Sequence, residues 1–434
     1  MKIAVIGGGI SGLTAAWSLA PDHEVHVFEA GLNAGGHTAT VDVRYNDEHH
    51  AIDTGFIVFN DRTYPNFIAL LDRLGISSKP TTMGFSVADA RTGVEYAGAN
   101  LNTLFAQRRN LVSPRFLRMV HEILRFNREV EEHLRITPTL AHATLGEYLR
   151  EYRYSDAFRD LYLLPMGAAI WSSDQDGMQA FPLQFFVRFF RNHGLLDIRD
   201  RPQWRVIEGG SRSYLAPLTA PFRDRLYVNT PVTEVVRTHT PNGPQVRIKS
   251  ARGYEFFDEV VFGCHSDQAL RMLGDPTQAE LEVLSAIPYR RNEVVLHTDI
   301  DLLPRNRRCW SSWNVSLGRI PTDRPSLTYN MNILQGLQSE RTWCVSLNQR
   351  DLIRPEHVWG VYHYDHPVFT LDGIRAQQRW HEVNGVHRTW FCGAWWRNGF
   401  HEDGVWSGLR VADQLRAQYQ QRSTLPLQAV AEAV

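Results

Sequence analysis

The stretch Lys2-Ile-Ala-Val-Ile-Gly-Gly-Gly-Ile-Ser-Gly12, continued by Leu13–Ala20 and by Glu24-Val-His-Val-Phe-Glu29, decides the fold. Lys2–Ile6 is a β-branched apolar run suited to a buried parallel strand, Leu13–Ala20 reads as a helix, and Glu24–Phe28 reads as a second strand. Each glycine has a task. Gly7 permits a tight turn, Gly9 lets the backbone approach a pyrophosphate, and Gly12 lets helix and strand pack closely. The helix N-terminus around Ser11 offers free N–H groups and a partial positive charge to phosphates. Glu29, followed by Ala30, closes the second strand, where a carboxylate accepts hydrogen bonds from a ribose diol and repels a 2′-phosphate. Strand, glycine turn, helix, strand and acid in this order predict a dinucleotide-binding unit.

The 434 residues suffice for two or three compact units. Hydrophobic residues make up 43% and charged residues 21%, the balance of a soluble globular protein. A formal net charge of −1 gives no support for a nucleic-acid partner. Cys264, Cys309, Cys344 and Cys392 are far apart with no CxxC pair, so neither a metal site nor a disulfide framework is expected. The longest apolar run, Leu161–Trp171, contains Pro165 and is too short to span a bilayer, and no targeting segment precedes the first strand. The expected location is cytoplasmic, with membrane contact from one side only.

Beyond Glu29 come Gly35-Gly36-His37-Thr38 and Asp53-Thr54-Gly55-Phe56. Near the C-terminus, Thr389–Gly393 is a short apolar strand ending in glycine, followed by a loop, by Gly404-Val405-Trp406-Ser407-Gly408-Leu409 and by a helix to about Tyr419. With these segments the chain resembles the superfamily of flavin amine oxidases, protoporphyrinogen oxidases and carotenoid desaturases. The resemblance implies FAD, held non-covalently, since Cys392 does not match the position of the covalent cysteine in some relatives. Glu29, Gly36, His37, Thr38, Gly55 and Phe56 stand at the superfamily's FAD positions. Tyr227–Val236 matches the strand over the adenine, with Val232 contributing backbone contacts, and Glu259–Asp267 matches the strand that returns to the nucleotide sheet. Thr240–Pro244 reads as a hairpin turn between them. Gly393, Gly404 and Val405 fall where the superfamily closes the site with a helix N-terminus. Many relatives carry an acid directly after that glycine; here it is Ala394.

The loop Gly393-Ala394-Trp395-Trp396-Arg397-Asn398-Gly399-Phe400-His401-Glu402-Asp403-Gly404 is similar to one bacterial branch, whose genes accompany cyclopropane-fatty-acid-synthase-like methyltransferases. That branch implies a lipid methyltransferase as a working partner. The fold class expected is α/β: a Rossmann-type FAD-binding domain from residues 1–75, 205–270 and 385–420, an inserted α+β substrate domain with a helical lid from 76–204 and 271–384, and a tail over 421–434. Long helices are expected at Pro114–Leu134, Leu145–Tyr152 and Pro182–His193. The last is unusually aromatic; it is a buried core helix on one reading, and a tunnel wall or membrane-facing patch on the other.

Only Lys2, Lys79 and Lys249 are lysines, and none matches the lysine that many amine oxidases hold beside the flavin. Trp395 and Trp396, being adjacent, are expected to diverge rather than form a cage. These two features speak against an amine; the branch resemblance, together with the aromatic Pro182–His193 helix, implies a long acyl chain, free or in a lipid, as the preferred substrate, with oxygen or another acceptor taking the electrons. His401 is the candidate base because imidazole titrates near neutrality, and Glu402 or Asp403 would orient it. The alternative for these three residues is that they only cap the following helix. An amine oxidase, a redox-neutral flavoenzyme and a flavin-bound accessory of the methyltransferase are the other readings.

Overall fold

The computed structural model describes residues 1–171, 173–197, 201–241, 243–318 and 327–424; the expected tail lies outside them from residue 425 onward. Lys2–Ile6 is the central strand of a five-stranded parallel sheet. Glu24–Phe28 pairs on one side of it and Glu259–Phe262 on the other. Leu226–Tyr227 and Thr389–Phe391 form the edges. These strands read as apolar runs because both faces of the sheet are covered. Ile3, Val5, Val25, Val27, Val260 and Val261 are fully buried.

Two helices lie against each other beside this sheet, Ile10–Leu19 and His401–Thr424. Their approach depends on missing side chains. A β-carbon at Gly408 would stand 2.5 Å from the Ser11 carbonyl oxygen and 3.1 Å from the Ala15 nitrogen. One at Gly404 would stand 2.8 Å from Ser11 Oγ. Gly12 is likewise pressed against Gly7, and a β-carbon at Gly263 would lie 2.5 Å from Gly12 Cα. Gly7 itself sits at φ +108°, a conformation open to glycine.

A second unit is built on a seven-stranded sheet, in the order Val358–Pro367, Tyr289–His297, Cys344–Leu347, Leu327–Asn330, Trp313–Leu317, Phe85–Asp89 and Val94–Ala97. Helices pack beside it. Pro114–Ile136 starts at Ser113, whose hydroxyl accepts from the Phe116 N–H, with proline in the first turn. Leu145–Glu151 is opened by a reciprocal Thr144/Glu147 capping box. Phe116, Met119, Phe126 and Val130 face Tyr148, Phe158, Phe186 and Phe190 in one apolar cluster. Leu183–Asn192 buries Leu183, Phe185, Phe186, Val187, Phe189 and Phe190, so its aromatic side chains are core, as the first of the two readings has it.

Four expectations are corrected. The segment after Gly75 is not helical from its start: Ser78–Thr81, Phe85–Asp89 and Val94–Ala97 are strands, the last two a hairpin turned at Gly93 with φ +69°. Tyr227–Val236 is not one strand. Asn229 adopts φ +48° and Pro231 has no N–H to donate, so Leu226–Tyr227 joins the nucleotide sheet while Val232–Thr240 opens a separate three-stranded sheet. The C-terminal helix begins at His401, not after Gly404, and runs to Thr424. Asp403 accepts from the Phe400 and Asn398 amides, which fixes this start. Trp395 and Trp396 do not diverge: a 3-10 turn at Ala394–Trp396 stacks their rings 4.2 Å apart, against Trp380.

Among the described residues no helix is long and apolar enough to cross a membrane. Gly408→Ala is expected to force the two helices apart and cost roughly 1–3 kcal/mol. Urea unfolding would measure this, and an unchanged midpoint would show that the contact is not close in solution.

Candidate functional site

The glycine turn leaves a cradle. A β-carbon at Gly9 would meet nothing within 4 Å, although its neighbours are tightly packed. No side chain caps the N-terminus of Ile10–Leu19, so the first-turn N–H groups, including that of Ser11, remain for an anion. Gly36 closes one wall of this space: the Gly35 N–H donates to the Gly8 carbonyl at 2.7 Å, and Gly36 stands against Gly9. Glu29 accepts from the amides of Gly8, at 2.7 Å, and Gly31, at 2.6 Å. It keeps lone pairs for a diol. Ala30 follows it at the surface. The Thr230 N–H donates to the Glu29 carbonyl, which brings Val232 to the same end of the sheet. A pyrophosphate fits above Gly9, and a ribose fits beside Glu29.

Further along, Gly55 is pressed on the His37 carbonyl, and the Phe56 N–H donates to that oxygen at 2.7 Å. His37 Nε2 is a buried polar atom with no hydrogen-bond partner among the described residues. Burial and the neighbouring His366, His265 and His401 hold this imidazole well below its ordinary pKa. Tyr364 and His366 flank it at 5.1 and 5.3 Å between ring centres. Asn292 Nδ2 donates to His366 Nδ1 at 2.8 Å, so His366 carries its proton on Nε2.

His401 stands at the N-terminus of the long helix. Its ring stacks on Phe56 at 3.6 Å. Its Nε2 lies 3.0 Å from Tyr214 Oη and 3.2 Å from Thr38 Oγ1, which also bond to each other. Burial lowers its pKa to about 3, so it does not titrate near neutrality as expected of the candidate base. Glu402 and Asp403 do not orient it, contrary to expectation. Glu402 accepts from the amides of Asn66 and Phe67 and from Asn66 Nδ2, capping the Pro65–Leu74 helix. Asp403 holds the turn before its own helix and, being buried, is raised to about 6. Gly404 and Val405 lie inside the first turn of that helix, the first packed on Ile10 and Ser11, the second fully buried. Gly393 donates its N–H to Ser407 Oγ at 2.9 Å, and the Trp395 ring occupies the place a β-carbon would take.

Sequence reasoning missed Tyr214, Ser407, Asn292, His265 and His366. Asp53 was noted only as part of a motif, yet it is a hub. It accepts from Thr40 Oγ1, from Ser211 through both amide and hydroxyl, and from Gln335 Nε2, and burial raises it to about 6. Gly209-Gly210, just before Ser211 and Tyr214, was the available signal. Both glycines have positive φ and deliver the Ser211–Tyr214 turn to the site.

The buried imidazoles give the protein an acid limb. His401 titrates at about 3, and His193, His297 and His366 at about 4, against 6.5 for an unhindered histidine. Between those values the unfolded chain binds more protons, so stability present above pH 6.5 is lost as pH falls toward 4. Asp53 and Asp403 act in the opposite sense, but the four imidazoles outnumber them. The urea midpoint is expected to be lower at about pH 5 than at about pH 7, with a smaller difference in His401→Gln. Equal midpoints in the wild type would show these imidazoles are solvated.

A family model for flavin-containing amine oxidoreductases matches residues 10–298. No curated protein sequence matches the chain. Among solved structures, cyclohexylamine oxidase from Brevibacterium oxydans IH-35A superposes with a TM-score of 0.66 at 16% identity, over 96% of this chain and 99% of that one. Putrescine oxidase bound to putrescine gives 0.67 at 14%, with the same coverage. A fatty acid isomerase from P. acnes that produces CLA gives 0.64 at 14%, over 96% and 98%. At such identities the likeness is one of fold. With the family model spanning about two thirds of the residues and a glycine cradle, ribose acid and helix N-terminus that fit FAD, the chain belongs to the flavin-containing amine oxidoreductase family and is an FAD-dependent oxidoreductase.

Proposed function

We propose that the chain dehydrogenates a long acyl chain, free or in a lipid. The observation that supports this reading is the aromatic packing that continues from the His401 loop into the buried core of the helical unit. Phe400 lies 5.1 Å from Phe189, nearly parallel, and Phe185 stacks on Phe369 at 5.0 Å. An amine needs other partners. Lys2 sits over Phe257 and Lys249 over Tyr254, and Lys79 lies beside Gly336. Trp395 and Trp396 are buried against each other and leave no gap between two aromatic faces. The similarity in shape to a fatty acid isomerase is compatible with an acyl chain, and equally with a redox-neutral reaction.

When bound, FAD supplies the two-electron acceptor that breaking an unactivated C–H bond requires. The chain's own residues hold it and handle the proton. Burial keeps His401 unprotonated, and Tyr214 and Thr38 fix its Nε2. In this reading the proton lost from the acyl chain passes to the His401–Tyr214 pair. FAD is held non-covalently: burial pushes the Cys392 thiol far above its ordinary range and that of Cys264 up to about 12, so neither offers a thiolate. The methyltransferase partner belongs to the same proposal and rests on the branch resemblance alone.

Anaerobic titration of the holoprotein with lipids bearing unsaturated, cyclopropane or methyl-branched chains is expected to bleach the visible flavin band at a rate consistent with turnover. Bleaching by an amine panel alone would overturn the substrate choice. Absence of bleaching by either would favour the redox-neutral or accessory reading. In that assay His401→Gln is expected to slow reduction roughly 10²–10⁴-fold with FAD still bound, the contribution of a positioned base. A variant that loses FAD but reduces at the normal rate when reloaded would make His401 structural.

A further inference from the structure

We propose that the face formed by the Leu101–Val112 segment, the start of the Pro114–Ile136 helix and the Arg307–Cys309 turn docks the protein on an anionic lipid bilayer. From Tyr96 to His121 the chain carries Arg108, Arg109, Arg115 and Arg118 and no acidic residue, although the protein as a whole has a net charge of −1. All four arginines are exposed. The same stretch exposes large apolar side chains: Leu101 at 75%, Leu111 at 50%, Val112 at 80% and Leu117 at 42%. Isolated exposed leucines are ordinary, but four in one acid-free stretch are not.

Folding adds more charge to the same place. Ala97, Ala106 and Cys309 form a small buried cluster, which ties the Arg307–Cys309 turn to the Leu101–Val112 segment. The turn brings Arg305, Arg307 and Arg308, all exposed. The Arg108 guanidinium donates to the Phe105 carbonyl and to Asn102, and Phe105 packs on Phe116, so the short helix, the following turn and the long helix make one surface.

The carboxylates around this face are already engaged. Glu95 accepts from the amides of Arg305 and Asn306. Glu122 accepts from Arg118 and from Ser155. Asp89 accepts from Thr92 and Arg91. Among the described residues, Arg118 is the member of the seven that makes an ion pair. Arginines around exposed leucine and valine match a bilayer with anionic headgroups: the guanidiniums meet phosphates and the apolar side chains enter the acyl boundary. A nucleic acid would use the arginines but would have no use for Leu111 and Val112. The inference does not depend on the substrate; a soluble-substrate enzyme with this face would dock equally.

The test is cosedimentation of the FAD-loaded full chain with vesicles of phosphatidylcholine alone and of phosphatidylcholine mixed with phosphatidylglycerol. Binding is expected only to the mixed vesicles, weakening as salt rises. Each arginine neutralised should weaken binding about fivefold, so Arg115→Gln and Arg307→Gln are read singly and together. Arg44→Gln, an exposed position on another part of the molecule, should leave binding unchanged. Leu111→Ser with Val112→Ser should weaken binding even at low salt; both positions are exposed, and an unchanged flavin spectrum would certify the fold. Equal binding to both vesicles, no binding to either, or arginine variants that bind like wild type would overturn the proposal. So would duplex DNA that displaces the vesicles and binds the Leu111→Ser, Val112→Ser variant at full strength. Flavin reduction by acyl chains in detergent would persist in the arginine variants, so failure here is separable from failure of the substrate reading.

Discussion

Close approach of backbone to backbone at a few glycines is the constraint on which the rest depends. Gly7, Gly12 and Gly263 let the first helix lie directly on the central strands, and Gly404 and Gly408 let the last helix lie on the first. Two helix N-termini are thereby brought to the carboxyl ends of the strands. There the partial positive charge of each is available to a bound anion or a developing negative charge. Side chains at these positions would widen the spacing by more than a methyl group and move the uncapped amides away from the cradle over Gly9. The acid at Glu29 and the hub at Asp53 then tie the loops to that frame.

The nucleotide-binding half was legible because its signals are local. A strand, a glycine turn and an acid lie within the first 29 residues, and each has one physical reading. Glu259–Phe262 and Thr389–Phe391 were legible as short apolar strands of the same kind. What failed was shape at finer scale. The break at Asn229 and Pro231 was hidden inside a run that alternates well enough to pass for one strand. The hairpin at Gly93 was lost under the helical pattern that follows it. The stacking of Trp395 on Trp396 came from a 3-10 turn, which neighbouring positions alone do not announce.

The site divided in the same way. Its backbone elements could be read from glycine spacing, whereas its side-chain chemistry depends on partners far apart in the chain. Tyr214 reaches His401 and Thr38 from a turn that two left-handed glycines deliver. Asn292 and His366 meet across paired strands. Glu402 was named from proximity in sequence to His401, but helical geometry sends its carboxylate to Asn66 and Phe67 instead. Adjacent residues on a helix point about 100° apart, so neighbours in sequence seldom share a task.

The order of strands in the nucleotide sheet has a consequence for how the molecule is made. Its central strand, Lys2–Ile6, is flanked by Glu259–Phe262, which is flanked in turn by Thr389–Phe391. A ribosome delivers the first of these long before the last. Until then one edge of the sheet is open and Ile10–Leu19 lacks the helix that covers it. Non-local pairing of this kind is slow and leaves strand edges exposed to other chains. The glycine cradle is thus made early in synthesis, while the strand and helix that flank and cover its sheet arrive last.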